Sequence, residues 1–372
     1  MEGVFSMIVW TVVVAVMLYV IQLPLRRKAH PRIRTAVFVI KMLLIPATAL
    51  LFVAVDWPAA YLHGDILTAI YIALCGDVVS SIVEYAVRRI RETVKHTEKS
   101  HICLLGLCGV LAALCTAGVF IGGWADASSI SRTDLDITSD RAAKAHTFAF
   151  VSDIHGGDAH PVDIIRDLCR QMNEQSPEFV ILGGDITDEM TSYEEMTEVY
   201  RILSELEAPV YFVYGNHDRQ PGAQRVGGRT YTDEELKSAI EGAGFTILKD
   251  DYVQIDEDLV LLGREDVSRG EERSRYADLT CPYEGMLIVA DHQPYDEEQL
   301  AEEVSTLQIS GHSHAGQLFP LQAVYRILGL PAYGSFRYAG TQLYVSSGAG
   351  LWGTPIRTEE RCEWVLVTIR PE

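Results

Sequence analysis

The sequence predicts an N-terminal α-helical transmembrane bundle of about four spans, followed by an α/β domain. Three observations carry this. Long uncharged apolar runs are confined to the first 124 of the 372 residues. Charge is split the same way: residues 1–100 hold 11 Lys/Arg and 7 Asp/Glu, a net of +4, and the rest hold 20 and 44, a net of −24. Beyond residue 146, short apolar runs alternate with amphipathic ones, the pattern of βαβ units around a buried sheet. The expected organisation is a membrane region over 1–124, a linker over 125–145 and a folded domain over 146–372.

The spans are read near 4–23, 35–55, 64–86 and 102–123. "FSMIVWTVVVAVMLYVIQL" has no charge and is long enough for the hydrocarbon core. The 64–86 run is the most polar of the four because it carries Asp77 and Glu84. Lys41 in the second span and Asp77 in the third lie at similar depths, and a buried charge seeks a partner, so the two are expected to meet. The loops "RRKAHPRIR" (26–34) and "RRIRETVKHTEK" (88–99) are basic, whereas "DWPAAYLHGD" (56–65) has no Lys or Arg. Positive loops stay cytoplasmic, which puts both termini and the acidic domain outside. A domain at −24 offers no broad basic footprint, which argues against nonspecific nucleic-acid binding. Cys169, Cys281 and Cys362 are too few and too far apart for a disulfide framework or a zinc pattern, though one pair remains open.

"ADASSISRTDLDITSDRAAKA" (125–145) is polar and lacks hydrophobic periodicity, which makes it a linker or a loosely packed approach segment. Strands are then expected at 147–153, 178–185 and 209–215, with helices at 161–175, 192–207 and 233–244. From 252 onward strands dominate: 252–255, 259–263, 286–291, 307–311, 342–347 and 363–369. His146 and His160 flank the first strand and read as surface residues.

Polar residues gather where the strands stop. "SDIH" gives Asp153 and His155, "GGDITD" gives Asp185 and Asp188, and "GNHD" gives Asn216, His217 and Asp218. "VADHQP" supplies His292, and "SGHSHAGQ" supplies His312 and His314. Ligands of open α/β sheets collect beyond the strand carboxyl ends. Carboxylate, imidazole and amide oxygen without a nearby thiolate suit manganese, iron or zinc. In an extended strand, residues i and i+2 share a side, so Asp153 with His155, and His312 with His314, are each expected to face one ion. One carboxylate bridging two ions about 3.5–4 Å apart is a device for phosphoryl chemistry. A lone D-x-H or a lone histidine is weak evidence. The weight lies in the ordered set, which takes five of the eleven histidines.

That ordered set, D-x-H, G-D-x-x-D, G-N-H-D, H and G-H-x-H, resembles the calcineurin-like metallophosphoesterases over about 147–372. "LGREDVSR" (262–269) and "SSGAGLWGTPIR" (346–357) resemble its bacterial membrane-associated phosphodiesterase branch more closely, and a four-span front end is similar to transmembrane proteins bearing this domain. The resemblance implies two mixed β-sheets sandwiched by helices. It implies a first metal on Asp153, His155, Asp185 and His314, and a second on Asp185, Asn216, His292 and His312. His217 would be the acid or phosphate clamp, oriented by Asp218 or another neighbour, and Asp188 would support the metal ligands. Two divalent ions, manganese first and iron or zinc as alternatives, would lower the pKa of a water bridging them and make a hydroxide nucleophile near neutral pH. Two carboxylates would leave such a pair net positive toward a phosphate anion.

Arg219 and Arg357 are candidates to contact phosphate, and Trp352 to line the cleft, against plain loop packing for each. The expected function is a membrane-anchored phosphohydrolase acting on phosphodiester or pyrophosphate bonds, its partners the lipid bilayer and a phosphate ester, lipid-linked or from the cell envelope. Phosphomonoester hydrolysis is the second expectation. A phosphate-sensing scaffold, and a transporter with a regulatory domain, are the rivals from other classes.

Overall fold

The computed structural model describes residues 31–54, 58–92, 98–157, 162–225, 227–294, 307–338 and 341–372. The chain divides into two compact units. One holds the chain up to Ala125 together with Leu318–Leu321 and Gly353–Thr358; the other holds Asp126–Gln317, Gln322–Trp352 and Glu359–Glu372. The expected single domain over 146–372 thus sends two short segments into the helical unit.

The helical unit contains α1 (Pro31–Ala54), α2 (Pro58–Glu92) and α3 (Glu98–Ala127). The expected span 4–23 lies outside the described residues. Among the described residues one helical stretch, Thr68–Ala86, is long and apolar enough to cross a membrane, and Ala113–Ala127 is a shorter apolar helix. The stretch that qualifies is the one the sequence makes most polar. Its Asp77 does not face an apolar phase alone: Lys41 Nζ of α1 lies 2.6 Å from its carboxylate, and both side chains are buried. Ser81 Oγ, 3.3 Å from Lys41 Nζ, adds a polar neighbour. Within the same unit Tyr71 Oη donates to Phe319 O at 2.6 Å, and the hydroxyls of Thr68 and Thr354 share a hydrogen bond of 2.6 Å.

The second unit is built on two six-stranded mixed sheets. The first runs β1 (Ile130–Ser139), β12 (Cys362–Pro371), β2 (His146–Val151), β3 (Val180–Leu182), β4 (Val210–Phe212), β5 (Thr246–Ile247). In it β2 to β5 are parallel, β12 is antiparallel to β2, and β1 is parallel to β12. The second runs β10 (Gly334–Tyr338), β11 (Thr341–Val345), β9 (Leu307–Ser310), β8 (Met286–Ala290), β7 (Leu259–Gly263), β6 (Asp251–Asp256). Its central four strands are parallel and its two edges antiparallel. Phe148, Phe150, Phe179 and Ile181 of the first sheet's side pack with Leu261, Ile288 and Ile309 of the second. On its other face the first sheet meets α4 (Val162–Asn173), α5 (Tyr193–Leu203) and α6 (Asp233–Gly242). With both faces covered, β3, β7 and β8 are buried at every residue, which is why they read as continuous apolar runs rather than alternations. In α4 the buried residues Ile165, Leu168, Cys169 and Met172 follow the helical repeat. Capping boxes, Ser192 with Glu195 and Thr232 with Glu235, start α5 and α6.

Two expectations are corrected. The linker 125–145 contains β1, a ten-residue edge strand whose Leu135 and Ile137 alternate with exposed Asp134 and Asp136. An edge strand with one wet face is polar enough to pass for a linker. His146 is not a surface residue but fully buried; His160 lies outside the described residues. The His146 ring spans 2.9 Å to Glu178 Oε2 at Nδ1 and 2.9 Å to Asp258 Oδ1 at Nε2. Cys169, Cys281 and Cys362 form no disulfide among the described residues.

Burial opposes the charge on His146, but Glu178 and Asp258 outweigh it and raise its pKa. A raised folded-state pKa stabilises fully below the unfolded value of about 6.5 and fades as pH rises through the folded one. The gap in urea midpoint between the native chain and His146→Gln is therefore expected to be widest near about pH 6 and to shrink toward about pH 9. A gap that widens with pH would reverse the assignment.

Candidate metal centre

Five loops carry the motif residues, each leaving the carboxyl end of a strand. Asp153 and His155 follow β2, Asp185 follows β3, Asn216 follows β4, His292 follows β8, and His312 and His314 follow β9. The first three strands belong to one sheet and the last two to the other, so the site sits where both sheets end.

The side chains fall into two clusters. Asp153, His155 and His314 offer ligand atoms within 4.8 Å of one another, and so do Asp185, His292 and His312. Asn216 Oδ1 joins the second, 2.8 Å from His312 Nδ1 and 3.2 Å from His292 Nε2. In the first, His155 Nε2 and His314 Nε2 approach to 3.2 Å. Each ligand ring is anchored by its far side where the structure gives a partner. His155 Nδ1 meets Asp188 at 3.1 Å and His292 Nδ1 meets Gly183 O at 2.9 Å, which turns Nε2 of each toward its cluster. Two imidazole nitrogens held face to face beside a buried carboxylate suit a shared cation, and the nitrogen, carboxylate and amide donors fit divalent manganese, iron or zinc.

The reason Asp153 and His155 converge is not the one their spacing suggests. β2 ends at Val151, and both residues are left-handed, with φ of 54° and 47°. His312 and His314 are left-handed too, at 73° and 49°, and so is Asp185 at 52°. An extended i, i+2 relation therefore does not apply. Left-handed backbone costs a non-glycine residue about 1–2 kcal/mol, and its concentration at these positions marks a constellation held in place by its surroundings. His312 N–H donates to Asp153 at 3.0 Å, which ties the loop of one sheet to the carboxylate of the other. Gly215 allows the GNHD loop to close on Asp185; a Cβ there would overlap the Asp185 carboxylate.

Asp218 does not orient His217. Its carboxylate accepts four backbone N–H groups, from Asp185 (2.9 Å), Ile186 (2.8 Å), Thr187 (3.2 Å) and Gly215 (2.7 Å). It clamps the GDITD loop to the GNHD loop. The partner of His217 is Glu189, whose Oε2 lies 3.0 Å from Nδ1. Nothing in the motif pattern marks Glu189 except that it is the acid directly after GDITD. Burial pulls the His217 pKa down, but Asp185 and then Glu189 more than reverse this, pushing it up to about 9. Its Nε2 is 3.9 Å from Asp185 Oδ2.

The three substrate-contact candidates part ways. The Trp352 ring lies 6.2 Å from that of His217, with its backbone held on both sides by the Gln317 amide. Arg219 is engaged elsewhere: its guanidinium makes two hydrogen bonds to Glu265 (2.8 and 2.9 Å) and stacks 3.5 Å over Tyr214. Arg357 is fully buried and belongs to the helical unit, its N–H bonded to Gly123 O.

Residues 146–316 match the family model of calcineurin-like phosphoesterases. Over these residues the chain is similar to the calcineurin-like phosphoesterases. An uncharacterized metallophosphoesterase of Helicobacter pylori is 28% identical over 63% of this chain and 62% of its own. A transmembrane protein with metallophosphoesterase domain from Danio rerio is 25% identical over 70% and 62%. Phosphodiesterase YaeI of Escherichia coli is 28% identical over 54% and 74%. The match spans 62% of the length of the first two relatives.

Two outcomes are expected, the first from the shared ligand that the family resemblance implies and the second from the contact between Glu189 and His217. Asp185→Ala should lower bound metal to one ion or none per chain by elemental analysis; two ions retained would refute a bridging role. Glu189→Gln should keep the metal content but lower kcat by about 10–100-fold. An unchanged kcat would confine Glu189 to holding the loop through the Gly222 N–H.

Proposed function

We propose that this protein is a membrane-anchored, two-metal phosphohydrolase that cleaves phosphodiester or pyrophosphate bonds of lipid-linked or cell-envelope substrates. The observation that carries the reading is the convergence of Asp153, His155 and His314 beside Asp185, Asn216, His292 and His312, with His217 at their edge. Asp153, His155, Asp185 and His314 would hold one ion and Asp185, Asn216, His292 and His312 the other, Asp185 being shared. When bound, such ions activate water and offset the charge of a phosphate.

The chain's own groups do the rest. Asn216 supplies an oxygen without adding negative charge. His217, held by Glu189 at Nδ1, keeps Nε2 available to a phosphoryl or leaving-group oxygen. A protonated ring there would donate to the departing alkoxide. Trp352 gives the His217 side of the site an aromatic wall. The name of the Escherichia coli relative supports diester over monoester hydrolysis. The complete ligand set speaks against a retired, ligand-sensing domain. Manganese is the first metal to try, with iron or zinc next.

The membrane side of the proposal rests on the Thr68–Ala86 stretch, on the apolar runs of the first 124 residues, and on the basic loops that would put the catalytic unit outside the cytoplasm. The partners are the bilayer and a phosphate ester; the acidic domain gives no support for nucleic acid.

Turnover of bis(p-nitrophenyl) phosphate by the purified chain with Mn²⁺ tests the reading, and none with Mn²⁺, Fe²⁺ or Zn²⁺ would defeat it. The His217 role has its own test. Acid catalysis contributes typically about 10²–10⁴-fold, and an alkyl alcohol needs the proton where p-nitrophenolate hardly does. His217→Ala should keep both metals, lose most activity on an alkyl diester and lose clearly less on the p-nitrophenyl diester. Equal losses would assign it to clamping, and loss of metal would make it a ligand.

A further inference from the structure

Beyond the family match, which ends at residue 316, the composition changes abruptly. Residues 101–372 carry 44 Asp/Glu, about one residue in six, yet 304–358 contain none. The only charged side chains in that run are Arg326, Arg337 and Arg357. Within it lies α7 (Leu321–Leu328) and the turn that follows. Here Ile327 is 84% exposed, Leu328 65% and Leu330 39%. Isolated exposed apolar residues are ordinary; three together at the C-terminal end of one helix, with the acids that reach it, Glu359 and Glu360, bonded to Gln322 at its opposite end, mark a binding surface. Arg326 beside them and Arg337 on the edge strand β10 are both exposed.

We propose that this helix end is a membrane-docking surface of the catalytic unit, seated in the interface of a bilayer that carries anionic lipid. The chemistry selects that occupant. An apolar tip flanked by arginines matches an interface in which acyl chains meet phosphate headgroups, and the acidic rest of the unit is repelled by the same headgroups. Arginines bury their stems along apolar surface and keep the guanidinium at the phosphate level. The chain also contains a helix long and apolar enough to bring a membrane to it.

The surface leads into the site. Ser313, between the ligands His312 and His314, donates its hydroxyl to Ala332 O in the turn after α7. Gln317, three residues past His314, fixes the Trp352 backbone beside His217. Docking at α7 would thus present the metal centre to esters whose apolar part stays in the bilayer. This last step rests on the phosphohydrolase reading; the docking surface does not.

The test uses the full chain reconstituted into vesicles of phosphatidylcholine with phosphatidylglycerol, in a background with all seven native cysteines replaced by serine, among them the half-exposed Cys75, Cys115 and Cys281. A fluorophore on Ile327→Cys should be quenched by doxyl lipids at least about twofold more than one on Lys237→Cys, and shielded from iodide. Equal exposure of both labels to iodide would overturn the docking surface. So would iodide shielding without doxyl quenching, since protein would then cover it, whether the chain's own helices or a second copy. In the same vesicles Ile327→Asp with Leu328→Asp should cut turnover of a long-chain lipid phosphodiester by about tenfold, leaving bis(p-nitrophenyl) phosphate within about twofold. Parallel losses would overturn the link to the site. A native chain that turns over neither substrate would defeat the phosphohydrolase reading, and the quenching would still decide the docking.

Discussion

The Asp218 carboxylate is buried and accepts four backbone N–H groups from two loops that share no sheet or helix bond at those positions. Buried amides left without partners would each cost about 1–3 kcal/mol. By meeting them, Asp218 fixes Asp185 against Gly215 and so determines where Asn216 and His217 stand. His217 N–H closes the arrangement on Asp185 at 2.7 Å. The rest of the site depends on this clamp, because a carboxylate and an amide from different strands are aligned only if their loops are.

The clamp explains the chemistry of GNHD. Glycine lets the loop approach Asp185, asparagine brings an uncharged oxygen to the second cluster, histidine stands beside the ligands with Nε2 3.9 Å from Asp185, and aspartate ties the turn down. The second sheet completes the site through the Asp153 carboxylate, which takes the His312 N–H. The strain in the left-handed ligand residues is thereby spread over a network in which each carboxylate both aims at a cation position and holds backbone. Two layers of carboxylates emerge. Asp153 and Asp185 point to the clusters; Asp188 and Glu189 stand behind His155 and His217 and set which ring nitrogen faces forward.

Buried charge is handled by the same rule in both units. Lys41 meets Asp77 in the helical unit, Arg219 meets Glu265, and Arg273 meets Asp291 with two hydrogen bonds. Arg219 illustrates how such a rule removes a candidate from the substrate. A guanidinium forked onto a buried carboxylate and stacked on Tyr214 has its donors already engaged.

The sequence by itself determined the βαβ order, the buried strands and the candidate ligands that converge, because apolar runs and the residue types of D-x-H, GD-x-x-D, GNHD and GH-x-H are local properties. It also paired Lys41 with Asp77, since depth along a helix is countable at 1.5 Å per residue. It missed β1, whose pairing with β12 joins residues more than two hundred positions apart and leaves one face wet. It named Asp218 or another neighbour as the group orienting His217 and did not single out Glu189, because nothing local says that one acid turns toward backbone amides and the other toward an imidazole. It misread why Asp153 and His155 converge, since left-handed backbone at those residues is enforced by contacts between loops. Tertiary structure decided these points for one reason: a buried polar group takes the partner that folding places within hydrogen-bond reach, and that partner is seldom its neighbour in sequence.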